Sequence, residues 1–142
     1  MKTETRLFLV DDDAVYLKLL EIELSQYPNV IINSFATGEL CIQSLNMEPD
    51  IIVLDYHLDG IDKTAMNGIE TLDKIKAVYP DLPVIMLSSQ DKIDVAVNCM
   101  HHKAYDYVAK SETAFMHINK IITTILLSRK TEKELNWYME RM

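Results

Sequence analysis

Three short runs of the chain are apolar at every position: Leu7-Phe8-Leu9-Val10, Ile51-Ile52-Val53-Leu54 and Val84-Ile85-Met86-Leu87. A strand with one wet face alternates, whereas a strand covered on both faces does not, so these runs predict the interior of a parallel sheet. A fourth run, Val30 to Phe35, is β-branched at its start and more polar at its end; a fifth, Tyr105-Asp106-Tyr107-Val108, alternates like an edge strand. Between the runs the period becomes helical. Leu17, Leu20 and Leu24 share a face, as do Ile69, Leu72 and Tyr79, and then Phe115, Ile118, Ile122 and Ile125. Asp13, Thr37, Asn67, Asp91 and Ser111 stand where N-caps belong, and Glu70 lies three residues past Asn67 as in a capping box. Pro28, Pro49 and Pro83 fall between elements. The long irregular piece is Tyr56 to Met66. Five strand-then-helix units predict an α/β fold with parallel strands, right-handed crossovers and helices on both faces. In such sheets the ligand site lies beyond the carboxyl ends of the strands, at the switch in strand order.

Composition narrows this further. The 142 residues are 49% hydrophobic and 25% charged, which suits one soluble domain with one core. Twenty-two acids against fourteen Lys and Arg leave −8, which argues against direct nucleic-acid binding. Two cysteines, Cys41 and Cys99, exclude a disulfide framework and a CxxC zinc site. No apolar stretch is long enough for a membrane span or a signal peptide, since Ile121 to Leu127 is broken by two threonines. The expected location is the cytoplasm. The eight methionines are taken as core filler.

Chemistry gathers at the strand ends. Asp11-Asp12-Asp13 follow the first strand, Asp55 the third, Ser88-Ser89 the fourth and Lys110 the fifth. A single Asp after a strand is as often a cap as a ligand. Acids, a hydroxyl and a lysine after four of five strands are harder to explain by capping. Carboxylates crowded at one sheet end repel unless a hard cation joins them, and Mg²⁺ suits oxygen donors shared with phosphate. A serine hydroxyl and a lysine opposite such a group would hold a transferred phosphoryl.

At these residues the chain resembles the receiver domain of bacterial two-component response regulators, in the manner of the chemotaxis regulators, over residues 5–127. The matching pieces are Leu7 to Asp12, Asp50 to Asp55, Met66-Asn67-Gly68, Val84 to Ser88 and Asp106 to Lys110. The resemblance implies a flavodoxin-like, doubly wound five-stranded parallel sheet of order 2-1-3-4-5. It implies a cytoplasmic phosphoprotein that takes a phosphoryl group from a sensor histidine kinase or phosphotransfer protein. Such a protein relays a signal and is not a turnover enzyme. By position, Asp55 is the implied phosphoacceptor, and Asp11, Asp12, Asp55 and the His57 carbonyl are the implied Mg²⁺ ligands. Lys110 is the phosphate-binding lysine, Ser88 and Tyr107 are the switch pair, and His57 and Gln90 either tune dephosphorylation or are plain loop residues. The face built from the fourth helix, fifth strand and fifth helix is the implied output and homodimer surface. Asp13 is left as the first helix's cap.

The chain also departs from that pattern. The segment from Asp59 to Ala65 lengthens the loop after Asp55, brings Asp59, Asp62 and Lys63 to the rim, and is expected to be mobile and dispensable for folding. Ser111 stands where the family has a proline with a cis bond, which leaves the Lys110–Ser111 geometry open. Asp11-Asp12-Asp13-Ala14-Val15 also fits the nucleophile motif of haloacid-dehalogenase-like phosphatases, with Asp11 as nucleophile and Asp13 as acid. A receiver fold with an inactive site is the other alternative. His101 and His102 are adjacent, so they face different directions on a helix and are expected to be solvated. Residues 128–142 hold no Gly or Pro and are expected to extend the fifth helix as a linker or dimerisation tail. Leu135, Trp137, Tyr138 and Met142 on that tail need cover, from the domain itself or from a second copy.

Overall fold

The computed structural model describes residues 4–142. Its elements run β1 (Thr5–Val10), α1 (Ala14–Leu24), β2 (Val30–Phe35), α2 (Gly38–Gln43), a 3₁₀ turn (Leu45–Met47) and β3 (Ile51–Asp55). They continue with α3 (Gly68–Val78), β4 (Val84–Ser88), α4 (Ile93–His101), β5 (Asp106–Ala109) and α5 (Ala114–Glu140). The five strands are parallel in the order β2-β1-β3-β4-β5, as expected.

The unbroken apolar runs have a simple cause. Along the inner strands, Leu7, Leu9, Ile51, Val53, Ile85 and Leu87 face one way and pack on Leu20 and Leu24 of α1 and Ile118, Ile122 and Ile125 of α5. Phe8, Val10, Ile52, Leu54, Val84 and Met86 face the other way, against α2, α3 and α4. Every position of β3 and β4 is buried. Each fully buried Leu or Ile contributes about 1.5–3 kcal/mol, so the two layers fix both the strand order and the direction in which strand ends point.

The caps divide. Asp13 accepts from the amides of Val15 and Tyr16, Thr37 from Leu40, and Asn67 forms the full capping box with Glu70. Asp91 and Ser111 are not caps. α4 starts after Lys92 and α5 after Thr113, both without a side-chain cap, because the chain stays extended past Asp91 and the Ser111 carbonyl accepts the Ala114 amide. Tyr79 is not on the buried face of α3; it lies past the helix end, 36% exposed. Among the described methionines only Met86 is buried, so the core-filler reading fails for the rest: five of them, from Met47 to Met142, are exposed and Met66 is half-buried. His102 is not simply solvated: its Nδ1 sits 2.7 Å from Asp73 Oδ1 and ties α4 to α3. The described peptide bonds are trans, Lys110–Ser111 included. α5 runs on as one helix to Glu140, and residues 130–142 are all exposed.

Candidate functional site

Strands β1 and β3 are neighbours, yet their chains leave toward opposite faces, α1 to one side and α3 to the other. A crevice therefore opens at their carboxyl ends. Asp11 and Asp12 enter it from the end of β1, Asp55 from β3, Ser88 from β4 and Lys110 from just past β5. Asp11, Asp55 and Ser88 are buried, which is costly for two acids unless partners hold them.

The partners are unequal to the charge. Lys110 Nζ donates to Asp11 Oδ2 at 2.8 Å and lies 3.5 Å from Asp55 Oδ1. Its ammonium also sits 4.3 Å from the centre of the Tyr16 ring. Asp11 Oδ1 accepts the Asp13 amide at 2.9 Å. One carboxylate oxygen from each of Asp11, Asp12 and Asp55 lies within 4.8 Å of the others, the one such grouping found among the described residues. Three acids thus face one lysine. Burial first, and then the Asp11 carboxylate, push the Asp55 carboxyl up to about 7, against the pull of Lys110 and the His57 amide. Burial works against charge on Lys110, but its hydrogen bond to Asp11 and the fields of Asp55 and Asp11 prevail and raise it. The cluster is a set of hard oxygen donors with surplus negative charge, which fits a divalent cation of the Mg²⁺ kind.

A second group adjoins it. The Ser88 hydroxyl oxygen accepts the Gln90 amide at 3.0 Å, and the Tyr107 hydroxyl donates to the Gln90 carbonyl. Gln90 thus reaches Ser88 and Tyr107 through its backbone, while its side chain is exposed. Tyr107 is half-buried, and burial raises its hydroxyl pKa. His57 packs edge-on against Tyr56 at 4.9 Å, and its Nε2 is buried with no hydrogen-bond partner among the described residues.

Three contributors carried no signal in the hydrophobic pattern. Tyr16 closes the wall behind Lys110, and its place one turn into α1 after the Asp13 cap was the available clue. Gly68 lies under the site: a Cβ there would come 2.4 Å from the Asp55 carbonyl and 2.7 Å from Tyr56 Cα, so only glycine lets α3 start that close. The segment 59–65 reaches the acids themselves, through a 3.3 Å bond from the Ile61 amide to Asp12 Oδ2. Cys41 and Cys99 take no part; both are buried free thiols, and burial pushes them up to about 12 and about 11.

A doubly wound sheet with a buried, over-charged acid cluster at its switch point defines a class of anion- and cation-handling α/β domains. The family model described as the response regulator receiver domain matches residues 7–123, and the chain belongs to that family, which serves two-component signalling. Over 114 residues it is 32% identical to a protein-glutamate methylesterase/protein-glutamine glutaminase of Clostridium acetobutylicum, covering 78% of this chain and 32% of that protein. Over 103 residues it is 34% identical to the luminescence regulatory protein LuxO of Vibrio campbellii, covering 72% of this chain and 21% of that one. The chain therefore spans a third or less of the length of these relatives. Among solved structures, the receiver domain of NtrX from Brucella abortus superposes with a TM-score of 0.70 at 26% identity, covering 80% of this chain and 94% of that one. A CheY-like receiver domain protein from Methanospirillum hungatei gives 0.75 at 21% identity, with 91% and 99% covered, a likeness of fold. No helix among the described residues is long and apolar enough to cross a membrane.

Proposed function

We propose that Asp55 is the phosphoacceptor of this receiver domain and that the transfer needs Mg²⁺. The observation that carries this is the buried Asp55 carboxylate at the end of β3, facing Asp11, Asp12 and a single lysine. An oxygen of Asp55 attacks the phosphorus of a phosphohistidine on a sensor kinase or phosphotransfer protein; the new O–P bond forms as the P–N bond breaks and the imidazole leaves. Asp11, Asp12, Asp55 and the His57 carbonyl are the residues that would hold Mg²⁺, which screens charge between the carboxylates and the incoming phosphoryl. Lys110, already 3.5 Å from Asp55, neutralises the transferred group from the other side. The Ser88 hydroxyl turns from the Gln90 amide to a phosphoryl oxygen. Since Tyr107 hangs on the same Gln90, that move reaches the face of α4, β5 and α5.

The phosphatase reading is not favoured. Asp13 is exposed and spends its carboxylate on the first amides of α1, so it is not poised as an acid over Asp11. The chain itself acts as an acceptor and relay rather than a turnover enzyme. The test is covalent labelling by a small acyl phosphate, read by intact mass. Wild type gains the mass of one phosphoryl group with Mg²⁺ present and none with chelator, and Asp55→Asn gains none. Equal labelling of Asp55→Asn overturns the assignment.

A second reading concerns assembly, with residues 5–127 as the receiver unit and 128–142 as its helical extension. On the exposed face of α5, Thr124, Ser128, Thr131, Leu135 and Tyr138 follow the 4-3-4-3 spacing of a two-stranded coiled coil, and Met142 continues it in sequence just past the helix end. Four basic residues against three acidic ones leave residues 128–142 at +1 in a chain of −8, so the tails can meet where the acidic bodies would repel. We take the occupant to be a second copy, with the exposed Val97, Met100, Tyr105 and Met116 of the α4–β5–α5 face adjoining the seam.

A further inference from the structure

The loop after β3 does more than lengthen the rim. Asp12 is the half-buried acid of the cluster, while Asp11 and Asp55 are buried. The Ile61 amide donates to Asp12 Oδ2 at 3.3 Å. A Cβ at the preceding Gly60 would lie 3.2 Å from that same oxygen and 3.8 Å from the His57 carbonyl oxygen. The inserted backbone thus touches one of the oxygens assigned to the cation, Asp12 Oδ2, and passes on the side of a second, the His57 carbonyl, where a side chain at position 60 would reach it. Mg²⁺ binds at about 2.0–2.1 Å and keeps several waters around itself. Backbone bonded to one ligand oxygen occupies space that those waters need. Charge points the same way, because the positive end of an amide dipole aimed at Asp12 is attracted by a bare carboxylate and repelled by one carrying a dication.

The feet of the loop are fixed, which confines any movement to its middle. Leu58 is 1% exposed. The Met66 amide is held by Glu39 of α2 at 3.1 Å, and Asn67 and Gly68 anchor the start of α3. Between them, Asp62 Oδ1 accepts both the amide and the hydroxyl of Thr64, at 3.0 and 2.7 Å, so the tip is a preformed turn. Ile61 stands on it with its side chain 78% exposed.

We propose that residues 59–65 form a roof over the cation position and that roof closure and Mg²⁺ binding exclude one another through the Ile61 amide. The roof lowers the affinity for Mg²⁺, and Mg²⁺ lifts the roof; the two effects are equal by linkage. Ion occupancy is thereby displayed on the surface through Ile61, beside the carboxylate that receives the phosphoryl group. This rests on the assignment of the acid cluster as a Mg²⁺ site.

Two measurements on the full chain test it. In calorimetric titration with MgCl₂, Ile61→Pro, which keeps the loop length and removes the donor, binds about three- to tenfold more tightly than wild type, as the loss of one long, solvent-exposed hydrogen bond demands. Deletion of residues 60–64 gives the same direction. In wild type, exchange of the Ile61 amide proton quickens when Mg²⁺ saturates, a readout that no variant's folding can spoil. Unchanged or weaker Mg²⁺ binding in both variants, or an Ile61 amide equally or better protected with Mg²⁺, overturns the roof and leaves the metal site standing. Absence of Mg²⁺ binding to wild type overturns both.

Discussion

The two ends of the sheet each hold a carboxylate beside a cation, and they differ in arithmetic. At the amino end, Asp50 accepts the Arg6 amide on one oxygen at 2.8 Å and meets the Arg129 guanidinium with the other at 3.2 Å. That fastens α5 to the strand ends, beside a cavity of about 370 Å³ that Pro49, Tyr79, Pro80 and Arg129 help to line. At the carboxyl end, Asp11 and Asp55 share a single lysine and Asp12 adds a further charge, so three acids meet one cation. A buried or half-buried ion pair is common structural material. A surplus of like charge that folding has to tolerate is a stronger sign of a ligand.

Breaking the balance at the carboxyl end has the largest expected effect. Lys110→Met leaves three acids unopposed and removes the charge facing the transferred phosphoryl, so labelling by a small acyl phosphate slows by about a hundredfold or more. Initial rates followed by mass spectrometry check it, and a rate within a few-fold of wild type would place the lysine outside the reaction.

The next effect is on stability and depends on pH. The Asp55 carboxyl sits at about 7 in the folded chain against an ordinary 3.8, so between those values the folded state holds a proton that the unfolded state has released. Stability without Mg²⁺ therefore falls as pH rises through that window and levels off above it, by about 2–4 kcal/mol from this group. Urea unfolding of wild type and Asp55→Asn isolates it: the difference between the two grows from pH 4 to pH 7, with the Asn variant the more stable at the upper end. Saturating Mg²⁺ removes most of the slope. A difference independent of pH would mean that Asp55 is not under strain.

At the amino end the sign reverses. Asp50→Asn loses an ion pair that is partly screened by solvent and destabilises by about 1 kcal/mol at neutral pH, with or without Mg²⁺. The smallest effect comes from cutting after Lys130, which keeps the Arg129 contact and removes the exposed tail. Folding stability changes by less than about 0.5 kcal/mol and labelling at Asp55 persists, while sedimentation shows a weakened dimer. A wild-type chain that stays monomeric at all concentrations sinks the coiled-coil reading.

Much of this was legible in the sequence because it rests on local pattern. Leu7 to Val10 has to be covered on both sides, and that alone requires helices on two faces and puts Asp11 at the carboxyl end of an inner strand. Asn67 and Glu70 mark the start of α3 within three residues of each other. What stayed hidden is what joins distant segments. Ile61 meets Asp12 across 49 positions and Arg129 meets Asp50 across 79, and neither spacing has a period to detect. Asp91 and Ser111 misled because a capping side chain is defined by where the backbone turns, which composition does not fix. The methionines misled for another reason: a flexible apolar chain suits a core and an interface equally, and here most of them are on the outside.

The central claim is that one carboxylate of the four, Asp55, takes the phosphoryl group. Hydride reduction of the phosphorylated full chain converts an aspartyl phosphate to homoserine, and peptide mass mapping then locates it. The account predicts homoserine at position 55 alone and only when Mg²⁺ was present during labelling. Homoserine at position 11, 12 or 13, or at 55 regardless of Mg²⁺, would contradict it.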